Sequence, residues 1–165
     1  MSTLYTTVDS PIGELLLAGD GHSLQRLDMR GGRRPIAIRP DWRRVDTAFA
    51  SVRHQLAQYF ARERRSFDGP LALNGNPFEL KVWRELCGIP YGETVSYGEV
   101  ARRIGEPGAA RAVGLANGRN PIAVIVPCHR VIGADGSLTG YGGGLERKRF
   151  LLDLEAGVSS LLVAA

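Results

Sequence analysis

Ser96-Tyr97-Gly98-Glu99-Val100-Ala101-Arg102-Arg103-Ile104-Gly105-Glu106-Pro107-Gly108-Ala109-Ala110-Arg111-Ala112-Val113-Gly114-Leu115-Ala116-Asn117-Gly118 is the stretch that decides how the second half of this chain folds. Ser96 and Glu99 have the spacing of a capping box, which predicts a helix start. Gly105-Glu106-Pro107-Gly108 stops that helix, and Ala109 to Ala116 make a second one, closed by Asn117-Gly118. Two short helices joined by a Gly- and Pro-containing turn form a helix-turn-helix pattern, whose second helix can enter a groove of DNA. Small residues (Ala109, Ala110, Ala112, Gly114, Ala116) surround one long side chain there, Arg111. Such a smooth face suits close approach to the minor groove better than base reading in the major groove. The same small residues also permit tight helix packing, which is the reading for part of the Ala112, Val113 and Ala116 face. Arg111 has no carboxylate partner four residues away, because Pro107 and Leu115 stand there, so it points outward.

Downstream lies Ile125-Val126-Pro127-Cys128-His129-Arg130-Val131-Ile132, a thiol on a tight turn with an imidazole beside it. A free cysteine is ordinarily a small buried hydrophobe. As a nucleophile it must reach the thiolate form, which needs a neighbouring base or cation, and His129 and Arg130 are candidates for both. Arg147, Lys148 and Arg149 open the last helix, either as a solvated basic face or as partners of phosphate or thiolate. Upstream, Phe78, Val82, Trp83 and Leu86 make a helical stripe that includes Cys87, read as a core residue. Ile89-Pro90-Tyr91-Gly92 then makes a turn.

The first part changes period. Leu4 to Val8, Glu14 to Ala18 and Leu24 to Met29 read as strands of a small antiparallel sheet, broken at Ser10-Pro11, Gly13 and Gly19-Asp20-Gly21. Val45, Phe49, Val52, Leu56, Tyr59 and Phe60 recur at helical spacing and predict one helix covering that sheet. Phe67 to Leu73 read as another edge strand, residues 31–40 as a loop, and Asn74-Gly75-Asn76-Pro77 as a linker. The fold class is α+β: a small amino-terminal α/β domain, residues 1–76, and a mostly helical domain, residues 77–165, carrying the helix-turn-helix pattern, which the family likeness described below implies is winged.

With 165 residues, 44% of them hydrophobic, the chain can bury a substantial core. Lys and Arg total 21 against 17 Asp and Glu, giving +4, and nearly all of the positive charge is arginine, which suits phosphates and bases. No apolar run is long enough to span a bilayer, and His22, His54 and His129 are too scattered for a zinc site. The absence of a secretory leader predicts a cytoplasmic protein with Cys87 and Cys128 as thiols. His22 and His54 read as ordinary surface or helix residues.

Six motifs in order (Ile89-Pro90-Tyr91-Gly92, Ser96-Tyr97, Ala110-Arg111-Ala112-Val113-Gly114, Asn120-Pro121, Pro127-Cys128-His129-Arg130-Val131 and Gly140-Tyr141-Gly142-Gly143-Gly144-Leu145) resemble the O6-alkylguanine-DNA alkyltransferases, or methylated-DNA–protein-cysteine methyltransferases. The likeness covers Phe78 to Glu155. Asp9-Ser10-Pro11-Ile12-Gly13 resembles the opening of the family's more variable, ribonuclease H-like amino-terminal domain.

The resemblance implies DNA repair by irreversible transfer of an alkyl group from O6-alkylguanine, and also O4-alkylthymine, to Cys128. It implies minor-groove binding, base flipping, no cofactor and no metal. Its partner would be damaged duplex DNA, with no membrane, and the protein would be a monomer in solution, clustering along DNA being left open. By similarity, Cys128, His129, Glu155 and Asn120 are the catalytic set. Tyr97, Val131, Tyr141 and Gly142 form the alkylguanine pocket. Arg111 enters the duplex, with Ala110, Ala112, Gly114 and Tyr97 on the DNA face. A relay from Cys128 through water to His129 and Glu155 follows triad logic. Two other classes stay open at this point: a cysteine hydrolase built on the same three residues, and a damage-binding module without chemistry, against which the presence of Cys128 speaks.

Overall fold

Strand β2 (Leu15–Gly19) is buried at every residue, because the computed structural model places it between β1 (Leu4–Val8) and β3 (Leu24–Met29), both antiparallel to it. The structure describes residues 2–33 and 35–158. Arg34 of the 31–40 loop and residues 159–165 of the second predicted domain therefore lie outside the described residues. A short β4 (Arg43–Arg44) runs parallel to β1 and completes the order β3-β2-β1-β4. The strand expected at 67–73 is reduced to a bridge between Leu71 and Leu24, flanked by backbone bonds from Leu24 N to Pro70 O and Ala72 N to Leu24 O. Asp68 N is taken by the Gln55 side chain instead of a strand partner.

Helix α1 (Ala50–Phe60) starts later than the periodicity predicted. Val45 N donates to Tyr5 O, so Val45 continues the sheet edge, and Phe49 sits at a left-handed φ of 57° where the chain turns into the helix. Leu56 and Tyr59 cover the sheet. Each such side chain removed from water stabilises the fold by about 1.5–3 kcal/mol.

The linker reading of Asn74 to Pro77 misses a helix start. Asn76 caps α2 (Pro77–Leu86), accepting from Glu79 N, while the Glu79 carboxylate accepts from Asn76 N. Pro77 stands at the first helical position, where its missing N–H costs nothing. At α3 (Tyr97–Arg103), Ser96 caps Glu99 N as its spacing predicted, but the Glu99 carboxylate turns to Arg102 and Arg103 and leaves the box half-made. Helices α3 and α4 (Ala110–Gly118) pack through Val100, Ala101, Val113 and Ala116, all buried. Trp83 Nε1 donates to Ala116 O at 2.8 Å, tying α2 to the end of α4. Strands β5 (Val95–Ser96) and β6 (Val131–Ile132) pair in parallel beside them. Helix α5 (Leu145–Ala156) closes the chain and ends at Gly157, whose φ of 76° suits glycine. Buried residues of both halves form one cluster, with Leu17, Leu27 and Met29 joining Val82, Leu86 and Leu151. Cys87 is exposed, correcting its reading as core: it follows the last residue of α2, beyond the buried Val82, Trp83 and Leu86 face.

Candidate active site and DNA-facing surface

Residues 120–127 deliver Cys128 through a constrained turn. Asn120 Oδ1 accepts from Ile122 N at 3.0 Å and its Nδ2 donates to Val126 O at 2.7 Å, joining the end of α4 to the segment before the thiol. Between them Val124 holds a φ of 70°, a left-handed conformation that a β-branched residue rarely adopts. Strain of this kind costs on the order of 1–3 kcal/mol and persists only where surrounding bonds enforce it. Cys128–Arg130 then form a single 3-10 turn, with all three side chains buried.

His129 is fully buried, and its Nε2 lies 2.7 Å from Glu155 Oε2. The ionised carboxylate can only accept, so Nε2 carries the proton and Nδ1 is left with its lone pair. That Nδ1 has no partner among the described residues. Burial lowers the His129 pKa, with Glu155 opposing, and the neutral ring is the form able to take a proton. Burial pushes Glu155 up, but bonds from His129, Arg130 and Tyr59 outweigh it and hold the carboxyl well below the usual range. Arg130 donates from Nε and Nη2 to the two carboxylate oxygens at 2.8 and 2.9 Å and from Nη1 to Ile89 O at 2.7 Å. Tyr59 Oη donates to Oε2 at 2.5 Å, across 96 residues of sequence.

The expectation that Arg130 supplies the cation for the thiol is corrected by this geometry, since its guanidinium is spent on Glu155 and Ile89. The cationic charge that acts on the Cys128 sulfur is instead that of Lys148. Its fully buried ammonium donates to Val131 O at 2.7 Å and Thr139 O at 2.9 Å, which also removes it from the solvated basic face offered as one reading. Burial lowers its pKa to about 8, and the Cys128 charge opposes that fall. Burial likewise pushes the Cys128 thiol up, against the Asn120 side chain and the Lys148 charge. Burial thus favours the protonated thiol.

A cavity of about 290 Å³ adjoins it, lined by Cys128, Asn120, Tyr141 and Gly142 together with Asn117, Ala123 and, from the amino-terminal half, Met29 and Ile36. Of the four predicted pocket residues, Tyr141 and Gly142 line this cavity, while Tyr97 and Val131 lie outside its walls. The Tyr97 hydroxyl donates to Thr139 O at 3.1 Å, and Lys148 Nζ stands 5.9 Å from its ring centroid. The Tyr141 hydroxyl is buried and unpartnered among the described residues, as is Asn117 Oδ1, whose Nδ2 donates to Cys128 O at 3.2 Å. Gly143 has no room for a side chain, because a Cβ would run into Met29 Sδ and the Tyr141 ring. Residues 31–33 brace this loop, with Arg33 N donating to Gly142 O at 3.0 Å and Arg147 bridging Ile12 O and Gly143 O.

On the outer face, Arg111 and Ala112 are exposed, and Ala110 and Gly114 are half-buried. Gly114 lies against Tyr97, since a Cβ there would meet its ring at 3.8 Å. Leu115, one helical turn beyond Arg111, is 61% exposed, an apolar side chain left on the same face. No helix among the described residues is long and apolar enough to cross a membrane, and no His, Cys, Asp and Glu group among them could hold a metal.

Tyr59 and Asn117 are the site residues that sequence reasoning passed over, whereas Arg130 was given the wrong partner and Lys148 was left between a basic face and a partner of phosphate or thiolate. Tyr59 counted only as part of an apolar stripe, although a buried tyrosine hydroxyl usually finds a partner. Lys148 carried a usable signal: it shares a helix face with Leu151 and Glu155, at spacings of three and seven.

The profile described as 6-O-methylguanine DNA methyltransferase, DNA binding domain, matches residues 77–157. The same family's ribonuclease-like domain matches residues 3–73. A methylated-DNA–protein-cysteine methyltransferase of Mycobacterium bovis is 58% identical over 151 residues, 92% of this chain and 91% of the relative. One from Methanosarcina acetivorans is 53% identical over 92% of this chain and 97% of its own length. The crystal structure of Mycobacterium tuberculosis OGT in complex with DNA superposes with a TM-score of 0.91 at 54% identity, covering 98% of this chain and 99% of that one.

Proposed function

The chain belongs to the 6-O-methylguanine DNA methyltransferase family, and from that premise we propose how its residues repair DNA by moving an alkyl group from O6-alkylguanine onto Cys128. The observation that carries the reading is a buried thiol at the wall of a cavity of about 290 Å³, beside an imidazole whose Nε2 is committed to a carboxylate and whose Nδ1 is free to accept a proton.

Residues 77–165 bind duplex DNA and residues 1–76 support them. Helix α4 lies in the minor groove. The damaged guanine leaves the stack at a cost of a few kcal/mol for unstacking and unpairing. Arg111 fills the vacated space, while Tyr97 crowds the neighbouring phosphate and Ala110, Ala112 and Gly114 let the backbone approach. The flipped base enters the cavity beside Tyr141 and Gly142, and Tyr97 and Val131, outside its resting walls, close on it from beyond them. The Val131 carbonyl already accepts from Lys148, and the Cys128 carbonyl from both Asn117 Nδ2 and the Val131 amide, so the guanine amino group shares Val131 O with Lys148 and displaces one of the two donors at Cys128 O.

In the chemical step the Cys128 proton passes through a water to His129 Nδ1, and Glu155, clamped by Arg130, stabilises the imidazolium. Lys148 stabilises the developing thiolate. Sulfur forms a bond to the alkyl carbon as the carbon–oxygen bond breaks, and guanine departs with charge developing on its ring, answered by donation from Tyr97 to N3 and from the Gly142 amide toward O6. For Tyr97 this requires its hydroxyl to leave Thr139. The product is a thioether with no electrophilic carbonyl for water to attack, so each molecule reacts once. O4-alkylthymine enters by the same route, and the protein acts as a cytoplasmic monomer.

Intact-protein mass before and after mixing with an oligonucleotide carrying O6-methylguanine tests the reading. A gain of one methyl group, persistent in water and mapped to Cys128, is expected. An unchanged mass, or a label that water removes, would overturn it.

A further inference from the structure

We propose that Tyr59, on helix α1 of the amino-terminal half, is a positioning residue for alkyl transfer, its hydroxyl setting how strongly Glu155 draws on His129. The inference rests on the alkyl-transfer reading above and deepens it.

Three donors converge on one oxygen, Glu155 Oε2: Tyr59 Oη at 2.5 Å, His129 Nε2 at 2.7 Å and Arg130 Nη2 at 2.9 Å. Tyr59 is fully buried, and its ring is held by Phe60, Phe67 and Tyr91, with centroids 5.2, 5.4 and 6.2 Å away. Packing alone would be served by phenylalanine. The hydroxyl is the part that packing does not explain, and it reaches the carboxylate behind the imidazole. Because burial and the Glu155 charge keep the phenol protonated, it acts as a fixed donor.

Negative charge on Oε2 is shared among its donors. With the hydroxyl gone, more of it falls on His129 Nε2–H, the imidazolium is favoured, and Nδ1 is protonated at a higher pH. A protonated Nδ1 accepts nothing from the thiol. The other charged or titratable groups around this cluster are Arg130 and Cys128 on the same turn, Lys148 from α5, Tyr141 from the Gly-rich loop, and Tyr91 with Arg62 and Arg65 beyond it. All of them are unchanged by a substitution at position 59.

Single-turnover methyl transfer from a saturating O6-methylguanine oligonucleotide is followed against pH for the full-length protein, for Tyr59→Phe and for protein with 3,5-difluorotyrosine at Tyr59. The fluorinated phenol keeps the ring in place and donates more strongly. The acid limb of the rate profile is expected to move up by about half to one pH unit in Tyr59→Phe and down in the fluorinated protein. Limbs that superimpose in all three, or a uniform loss of rate or stability with an unmoved limb, would overturn the proposal while leaving alkyl transfer standing. A native protein that takes no methyl group would remove both.

Discussion

Arg130→Met is expected to destabilise the protein far more than loss of a surface ion pair, and by an amount that depends on pH. Arg130 is 7% exposed, and its guanidinium gives two bonds to Glu155 and one to Ile89 O. Among the described residues, removing it leaves a buried carboxylate with Tyr59, His129 and the distant Gly92 amide, 3.4 Å away, as donors. Breaking a buried pair from one side costs about 3–5 kcal/mol. In a chain of this length each kcal/mol moves Tm by about 2–4 °C, so the expected loss at neutral pH is about 6–20 °C.

The sign of the pH dependence follows from Glu155. Its folded pKa is depressed, so its stabilising contribution is complete above the unfolded value of about 4.3 and is lost as pH falls through the folded value. Without Arg130 that depression is smaller, and less remains to be lost in acid. The gap between native and variant therefore narrows as pH is lowered. Thermal unfolding at neutral pH and at pH below about 4 measures it. Arg44→Ala is the control, since the Arg44–Asp46 side chains are 50% and 74% exposed and such a pair contributes about 0–1 kcal/mol. An Arg130→Met loss no larger than the control, or a gap that stays constant with pH, would refute the reasoning. The double change Arg130→Met with Glu155→Leu should recover much of the stability, because neither charge then stands alone.

Cys128→Ala should abolish methyl transfer in the mass assay yet retain duplex binding in a mobility-shift titration. Arg111→Ala should slow repair of duplex DNA more than reaction with the free modified base, because only the duplex leaves a void to fill, and equal losses on both would contradict the insertion role. Lys148→Met should slow single-turnover transfer about tenfold or more through loss of the cation facing the sulfur. In the native protein that help fades as pH rises through about 8, where Lys148 loses its proton. Duplex binding, measured by fluorescence anisotropy, should weaken steeply with added salt and vary little with base sequence.

Local rules carried the secondary structure wherever one residue type had one job. Leu4–Val8 and Leu24–Met29 are short segments ended by turn residues, and both strands appear with the predicted bounds. The helix pair around Gly105–Gly108 was legible because capping, Gly and Pro act within a few residues of themselves. Where two local readings competed, distance decided. Val45 fits a helical period, yet Tyr5 O, on another strand, takes its amide. Asn76-Pro77 reads equally as a linker or a helix start, and the reciprocal bond with Glu79 settles it.

Composition and motif order in this sequence were enough to determine an α+β chain, two short helices joined at Gly105–Gly108, a thiol beside an imidazole and the family likeness, since each depends on the identity of near neighbours. Which cation faces that thiol was decided only by the tertiary structure. Arg130 is two residues from Cys128 and turns to Glu155, whereas Lys148, twenty residues further along, is carried to Val131 by the register of α5. Tyr59 meets Glu155 only because α1 and α5 pack on the same core. A side chain's partner is set by where the backbone directs it, and in a folded chain that direction is fixed by contacts far apart in sequence.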